Sequence, residues 1–384
     1  MKQFFPLLTM GVMMLLSVSL TSCDKDDDTQ TGLETQLSGS ITDTKTLDAT
    51  KVYTITGPVI VENGGVLDIP AGTTIKSKKG FSNYILVLQG GKIYVRGTAD
   101  KPVTMTADSA NATSGYWGGL IINGKAPLGG GLTGSTEVNS AYVYGGNVAN
   151  DNSGSISYLK LEYCGARSSA NVEHNGLTLN GVGSGTTINN VFVLESADDG
   201  IEFFGGSVNV SSLLVVNSDD DMFDFTQGYK GTLTNAYGIW ESGFTSSESD
   251  PRGIEADGNF DGNYQGQTDQ SDFTVNNVTF DLRLAPGTTV STQMMDVIKI
   301  RREAKAVITN ALVKGTGTVV DLVDFSDSKG AGLTTSSVSL TNSLTTPIAG
   351  KQVNPSTTTY PLVQFVSDNT GCETGVFTWT GYTF

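Results

Sequence analysis

Ile188-Asn189-Asn190-Val191-Phe192-Val193 is the stretch that decides the fold. It reads as an apolar residue, a small polar one and Asn, followed by a β-rich run. The opening phrase returns at Val210-Ser211-Ser212, Leu233-Thr234-Asn235, Val275-Asn276-Asn277, Ile308-Thr309-Asn310 and Leu340-Thr341-Asn342. The successive steps are 22, 23, 42, 33 and 32 residues. Repetition at this spacing marks stacked coils, none of which buries its apolar face alone.

A second column runs in phase with the first. Leu177-Thr178-Leu179, Ile201-Glu202-Phe203, Phe223-Asp224-Phe225, Ile254-Glu255-Ala256, Ile298-Lys299-Ile300 and Val323-Asp324-Phe325 each alternate apolar, polar, apolar. Strand side chains alternate faces, so the outer two residues of each triplet point inward and the middle one outward. Several short strands per coil of about twenty residues or more predict an all-β parallel β-helix, a solenoid over residues 37–384. Two stretches, residues 129–152 and 257–272, are rich in Gly, Asn, Ser or Asp and read as excursions from the coil. The alternating aromatics of residues 376–384 are expected to cap an open end.

Composition narrows the function classes. The chain has 384 residues, 47 of them Gly, and a net charge of -16, which argues against nucleic acid as a partner. Cys164 alternates with apolar neighbours and reads as core, and no disulfide scaffold is implied.

Lys2, the apolar residues 4–20 and Leu20-Thr21-Ser22-Cys23 form a targeting segment. It resembles a bacterial lipoprotein signal peptide with its lipobox, which implies cleavage after residue 22 and lipidation of Cys23. Asp24-Lys25-Asp26-Asp27-Asp28 follows and resembles the acidic export signal of Bacteroidetes lipoproteins. That resemblance implies a protein held by its lipid in the outer membrane, exposed at the cell surface. Residues 23–36 are then an acidic tether.

The strand-turn-strand units Val66-Leu67-Asp68-Ile69-Pro70-Ala71-Gly72 and Gly90-Gly91-Lys92-Ile93-Tyr94-Val95 belong to the first coils. Together with Tyr116-Trp117-Gly118-Gly119, Asp198-Asp199-Gly200-Ile201-Glu202-Phe203 and Asp220-Asp221-Met222-Phe223-Asp224-Phe225, they resemble a broad group of right-handed β-helix proteins. Many of these are Bacteroidetes surface lipoproteins, and some relatives form surface layers. The resemblance implies a right-handed, single-stranded parallel β-helix with a structural or interaction role, a surface-layer-type coat among the options.

Three groups of residues are candidates for chemistry. Glu202, Asp224 and Glu255 fall in one outward column, beside Asp198, Asp199, Asp219, Asp220 and Asp221 at the neighbouring corner. Stacked strands lie about 4.8 Å apart, so these carboxylates need protonation, pairing or a bridging cation. Lys299 enters the same column as a partner. The alternative is that turn-forming Asp recurs because the corner recurs. The second group is Asp257, Asn259, Asp261 and Asn263, which match the first half of the calcium-loop pattern D-x-N-x-D-G. Its closing Glu is replaced by Thr268. Calcium is therefore the one cofactor expected.

The third group concerns glycans. Asn217-Ser218-Asp219, Asp220-Asp221 and Lys299-Ile300-Arg301 are similar to the acid clusters and basic motif of polygalacturonase-like enzymes. The Gly-His-Gly element of that family is absent, and the only histidine, His174, lies upstream. A lyase would need calcium carboxylates with a base such as Arg301 or Arg302, which no spacing selects. No complete catalytic set emerges, so the expectation is a non-enzymatic protein. Polysaccharide degradation and glycan binding are the rival readings. Tyr142, Tyr144, Tyr229, Tyr237, Trp240 and Tyr264 are candidates for stacking on sugars. Asp108-Ser109-Ala110 resembles the acceptor pattern of Bacteroidales O-glycosylation, which would place a glycan on Ser109.

Overall fold

The computed structural model describes residues 34–169, 172–355 and 362–384. The expected signal peptide, Cys23 and most of the expected tether lie outside the described residues. Residues Thr35–Phe384 form one compact unit. Twenty-four of its strands join in one sheet, in which the strands pair in parallel, each bonding to its counterpart one coil away. This is the parallel β-helix that the repeat predicts.

The Asn phrase is a corner. Gly154–Glu162 pairs through its first half with Lys92–Arg96 and through its second half with Val103–Ala107. One long strand therefore bends across two faces of the coil. The bend falls at Tyr158, Asn190, Ser212, Asn235, Asn277 and Asn310, all with φ between 51° and 58°. Asn tolerates this left-handed conformation better than most side chains. Once there, the amides stack: Asn310 Nδ2 donates to Asn277 Oδ1 at 2.9 Å, and Asn277 Nδ2 to Asn235 Oδ1 at 2.9 Å.

The sixth phrase is out of register. Ile308 pairs with Val338, whereas Leu340 faces Ala311. The last long strand, Ser337–Leu344, has one residue fewer at the bend and so needs no left-handed position. Tyr158 is the corner the sequence pattern missed, because an aromatic stands where the later coils carry Asn or Ser.

The triplet column is in register throughout. Thr178, Glu202, Asp224, Glu255, Lys299 and Asp324 are successive neighbours. Their apolar flanks fill the core: Ile201, Phe203, Phe223, Phe225, Ile254 and Ile298 have no exposed surface. Phe225 stacks on Phe203 at 4.9 Å and on Phe273 at 4.2 Å between ring centres.

The C-terminal segment does not cap an end. It runs back along the flank of the solenoid. Asn310 Oδ1 accepts from the backbone N–H groups of Thr370 and Gly371, Thr279 exchanges two hydrogen bonds with Cys372, and Lys160 Nζ donates to the Thr380 carbonyl. The reason is apolar. Phe192, Leu214, Val216, Tyr237 and Ile239 point outward from the long strands and require cover, which Phe377, Trp379 and Tyr382 supply. Both expected excursions leave the coil. The first contains an antiparallel hairpin, Gly134–Thr136 with Asn139–Tyr144; the second contains a short turn, Phe260–Gly262.

Candidate cation site and cleft

Two residues before each triplet stands a polar residue: Asn175, Asp199, Asp221, Arg252, Asp296 and Asp321. These form a second ladder at the corner. Asn175 Oδ1 accepts from the Asp199 N–H at 3.3 Å, and Asp199 Oδ1 from the Asp221 N–H at 2.9 Å. Arg252 pairs with Asp296, and Asp296 with Asp321. The two ladders run side by side, so carboxylates meet in clusters. Oxygens of Asp199, Glu202 and Asp224 lie within 4.8 Å of one another, as do those of Asp198, Asp199 and Asp220, and those of Asp296, Asp321 and Asp324.

These clusters differ in charge balance. Below, the Lys299 ammonium bonds to Asp324 and lies 3.8 Å from Asp296, which also takes Arg252 Nε at 3.3 Å. Above, no ammonium or guanidinium bonds to Asp199, Glu202 or Asp224 among the described residues. Arg252 Nη1 approaches Asp221 only at 3.8 Å. One oxygen each of Asp220, Asp221 and Asp224 is buried without a hydrogen-bond partner. Burial, then mutual repulsion, pushes Asp199, Glu202, Asp221 and Asp224 well above the carboxylate range. Asp220 is pushed up to about 8 by the same causes.

Glu255 leaves the acid set. It stays in the column, but its two oxygens bond to Arg252 and Arg301. Burial acts against its charge, yet Arg252, Arg301 and Arg302 outweigh it and hold Glu255 below its ordinary value. Sequence alternation cannot show this, because Arg252 arrives from the neighbouring ladder.

The Asp257 loop is occupied by its own cations. Asp257 is buried and bonds to Arg301 Nε at 2.7 Å and to Arg302. Asn259 Nδ2 donates to the Arg302 carbonyl and to Gln270, and its Oδ1 accepts from the Tyr264 N–H. Lys329 Nζ donates to the Asp261 carbonyl at 2.6 Å and lies 3.5 Å from Asn263 Oδ1. The four residues expected to converge on calcium are instead contacted by Arg302 and Lys329. The D-x-N-x-D-G spacing selects a loop shape, and the basic residues that fill it come from elsewhere in the chain.

The remaining candidates sort by burial. Tyr229, Tyr237, Trp240 and Tyr144 are buried, so they do not present faces to a sugar. Tyr142 packs on the Ile60, Tyr84 and Leu86 cluster. Tyr264 alone of the six is well exposed, at 42 %. His174 is buried, its Nε2 3.0 Å from the Phe81 carbonyl, and burial lowers it to about 4, so it is neutral structure. Cys164 and Cys372 are buried free thiols. Ser109 is exposed, beside an Asp108 that Lys78 and Lys76 pair.

Two features escaped the sequence reading. Residues 241–250 fold over the acidic corner: Ser247 N–H donates to Asp219 Oδ1 at 2.7 Å, and Arg167 joins Glu248, Glu173 and Asp219. The first excursion roofs a narrow cleft of about 40 Å³ whose floor includes Thr178, Asn180 and Phe204. Asn175 links cleft to cluster, donating to Glu202 Oε2 at 2.6 Å. The polar residue two places before each triplet is the signal that would have found the second ladder.

No curated protein and no solved structure matches the chain. The family model for the pectate-lyase-like β-helix domain matches residues 39–383, nearly the whole described solenoid, and the chain therefore belongs to the pectate-lyase-like β-helix family.

Proposed function

We propose that this protein is a non-enzymatic lipoprotein of the outer cell surface, a rigid acidic scaffold that acts by covering or contact, as a surface-layer-type coat does, and that takes up calcium. The observation that carries the reading is the uneven supply of positive charge along one pair of ladders. Lys299 and Arg252 neutralise the lower carboxylates, while Asp199, Glu202 and Asp224 share a site to which no cationic side chain bonds among the described residues. Hard oxygen ligands at this density suit calcium. The address rests on the lipobox at Leu20-Thr21-Ser22-Cys23 and the acidic run after it.

The basic groups support a structural role. A lyase base must take up a proton. Arg301 bonds to Glu255 and Asp257 and is held charged by them, and Arg252 is likewise held charged by Glu255, Asp221 and Asp250. Titration of the detergent-solubilised protein with calcium is expected to show saturable binding. Asp199→Asn or Asp224→Asn should weaken it by about tenfold or more, the loss of about 1.4 kcal/mol. Binding that is absent, or unchanged in both variants, refutes the site. Cys23→Ala should move the protein from the membrane to the soluble fraction, and protease added to intact cells should remove the wild-type domain. Protection until lysis would place the domain in the periplasm.

One observation favours polysaccharide cleavage as a second reading. The cleft over Thr178 and Asn180 opens beside carboxylates that burial keeps protonatable, as a general acid requires. Reducing-end and unsaturated-uronate assays on acidic polysaccharides decide it. Turnover that Asp220→Asn or Glu202→Gln abolishes would replace the structural reading.

A further inference from the structure

The cleft over Thr178 does not end at the hairpin. A second hollow of about 230 Å³ shares the wall residues Ser135, Tyr144 and Phe260 with it, so the two adjoin along the groove between the first excursion and the loop at 260–267. We propose that this groove binds a neutral oligosaccharide, and that its uncharged half, around Phe260 and Tyr264, is the principal subsite. The proposal is independent of the cation site.

Three observations carry it. Phe260 and Tyr264 are each 42 % exposed, although large aromatics usually bury their faces. Both line the second hollow, where they present apolar surface to a ligand. An aromatic face packs against the C–H surface of a pyranose ring and needs no charge to do so.

The polar groups beside them are amides. Gln227 and Gln267 line the same hollow. Gln267 Oε1 is buried with no hydrogen-bond partner, which is costly unless a donor arrives. A sugar hydroxyl is such a donor. Gln227 is held in place, its Oε1 accepting from the buried Tyr144 hydroxyl at 3.1 Å. Aromatic faces with a few fixed amides are the lining a neutral, hydroxyl-rich ligand needs.

Charge decides the class of sugar. No Lys or Arg lines either half of the groove among the described residues, and the first half carries Glu137 and Glu173. A polyuronate would bring carboxylates to carboxylates with no base to receive them. The groove therefore disfavours the acidic substrate that the family description suggests.

The test is binding by the full-length protein in detergent. Cello-, manno-, xylo-, laminari- and maltohexaose are compared with hexagalacturonate by isothermal titration. At least one neutral hexaose is expected to bind, at least about tenfold more tightly than hexagalacturonate. Phe260→Ala and Tyr264→Ala should each lower that affinity by about tenfold, the loss typical of an aromatic anchor, with the melting temperature unchanged. Tyr264→Trp should retain binding, which separates stacking from folding. The proposal is overturned if no neutral hexaose binds, if hexagalacturonate binds as tightly, or if both alanine variants bind like wild type.

Discussion

In EDTA, the melting temperature of this protein is expected to fall as pH rises from about 4 to about 8, and excess calcium is expected to remove that fall. The sign follows from linkage. An unfolded Asp loses its proton near 3.8, whereas Asp220 in the fold holds it up to about 8. Asp199, Glu202, Asp221 and Asp224 are displaced in the same direction. Between the two values the folded state binds more protons than the unfolded one, so raising the pH destabilises it. Stability from these groups is complete below the unfolded value and lost through the folded one. Glu255, held low by Arg252 and Arg301, works oppositely but over a lower range, and the buried His174, lowered to about 4, opposes the fall only as one group against five.

Calcium replaces the protons. It binds the ionised cluster, so its effect is largest where the metal-free protein is weakest. At about a hundred times its dissociation constant a ligand adds about 2.7 kcal/mol, a rise of several degrees for a chain of this size. Asp221→Asn with Asp224→Asn should flatten the pH dependence in EDTA and abolish the calcium shift. A melting temperature that rises with pH in EDTA, or a full calcium shift in the double variant, would show that the cluster is neutralised by other means.

The difference between the two acidic candidates explains how far the site was legible. The column of Glu202, Asp224 and Glu255 is legible, because strand alternation and the coil step determine which residues become neighbours. Their counter-charges were not legible. Arg252 reaches Glu255 from the next ladder, and Arg302 and Lys329 enter the Asp257 loop from coils 45 and 68 residues away. Pairing across such separations depends on loop lengths, which the repeat does not encode. The D-x-N-x-D-G match hides Arg302 and Lys329 for the same reason: local spacing specifies a turn, while the cations that contact it are remote.

The fold was legible to the extent that it repeats. Asn190, Asn235, Asn277 and Asn310 betray the corner because a left-handed φ favours Asn. Tyr158 sits at the same bend without that signature, and the last strand omits the bend altogether. The seat of the C-terminal segment is not legible, because alternating aromatics reveal that a surface must be covered, not which one. The decisive residues, Phe192, Leu214 and Tyr237, lie in strands whose inward side chains are equally apolar. A strand with apolar residues on both faces has a covered exterior, and Val191-Phe192-Val193 and Leu213-Leu214-Val215-Val216 carry that mark.

Phe223→Asp is expected to prevent folding of the solenoid. Phe223 is fully buried, lies between Ile201 and Ile254 in adjacent coils, and its ring centre is 6.3 Å from that of Phe280. Deleting a buried Phe side chain costs about 3–5 kcal/mol through lost transfer and cavity terms. A carboxylate in that cavity adds a penalty of several kcal/mol, since the apolar layer offers no partner. The sum approaches the 5–15 kcal/mol that stabilises an ordinary domain. A solenoid has a further weakness here: each coil contacts only its neighbours, so one broken layer uncouples the coils on either side. Insoluble expression, or loss of the β signal in circular dichroism, is the expected result. Thr309→Asp serves as the control. It sits exposed on the outer face of the strand Lys305–Gly315, donating to Asn276 Oδ1, and should cost about 1 kcal/mol or less. If Phe223→Asp melts like wild type, the inward assignment of the triplet is wrong. The outward position of Glu202 and Asp224, which the same alternation sets, would then be wrong as well.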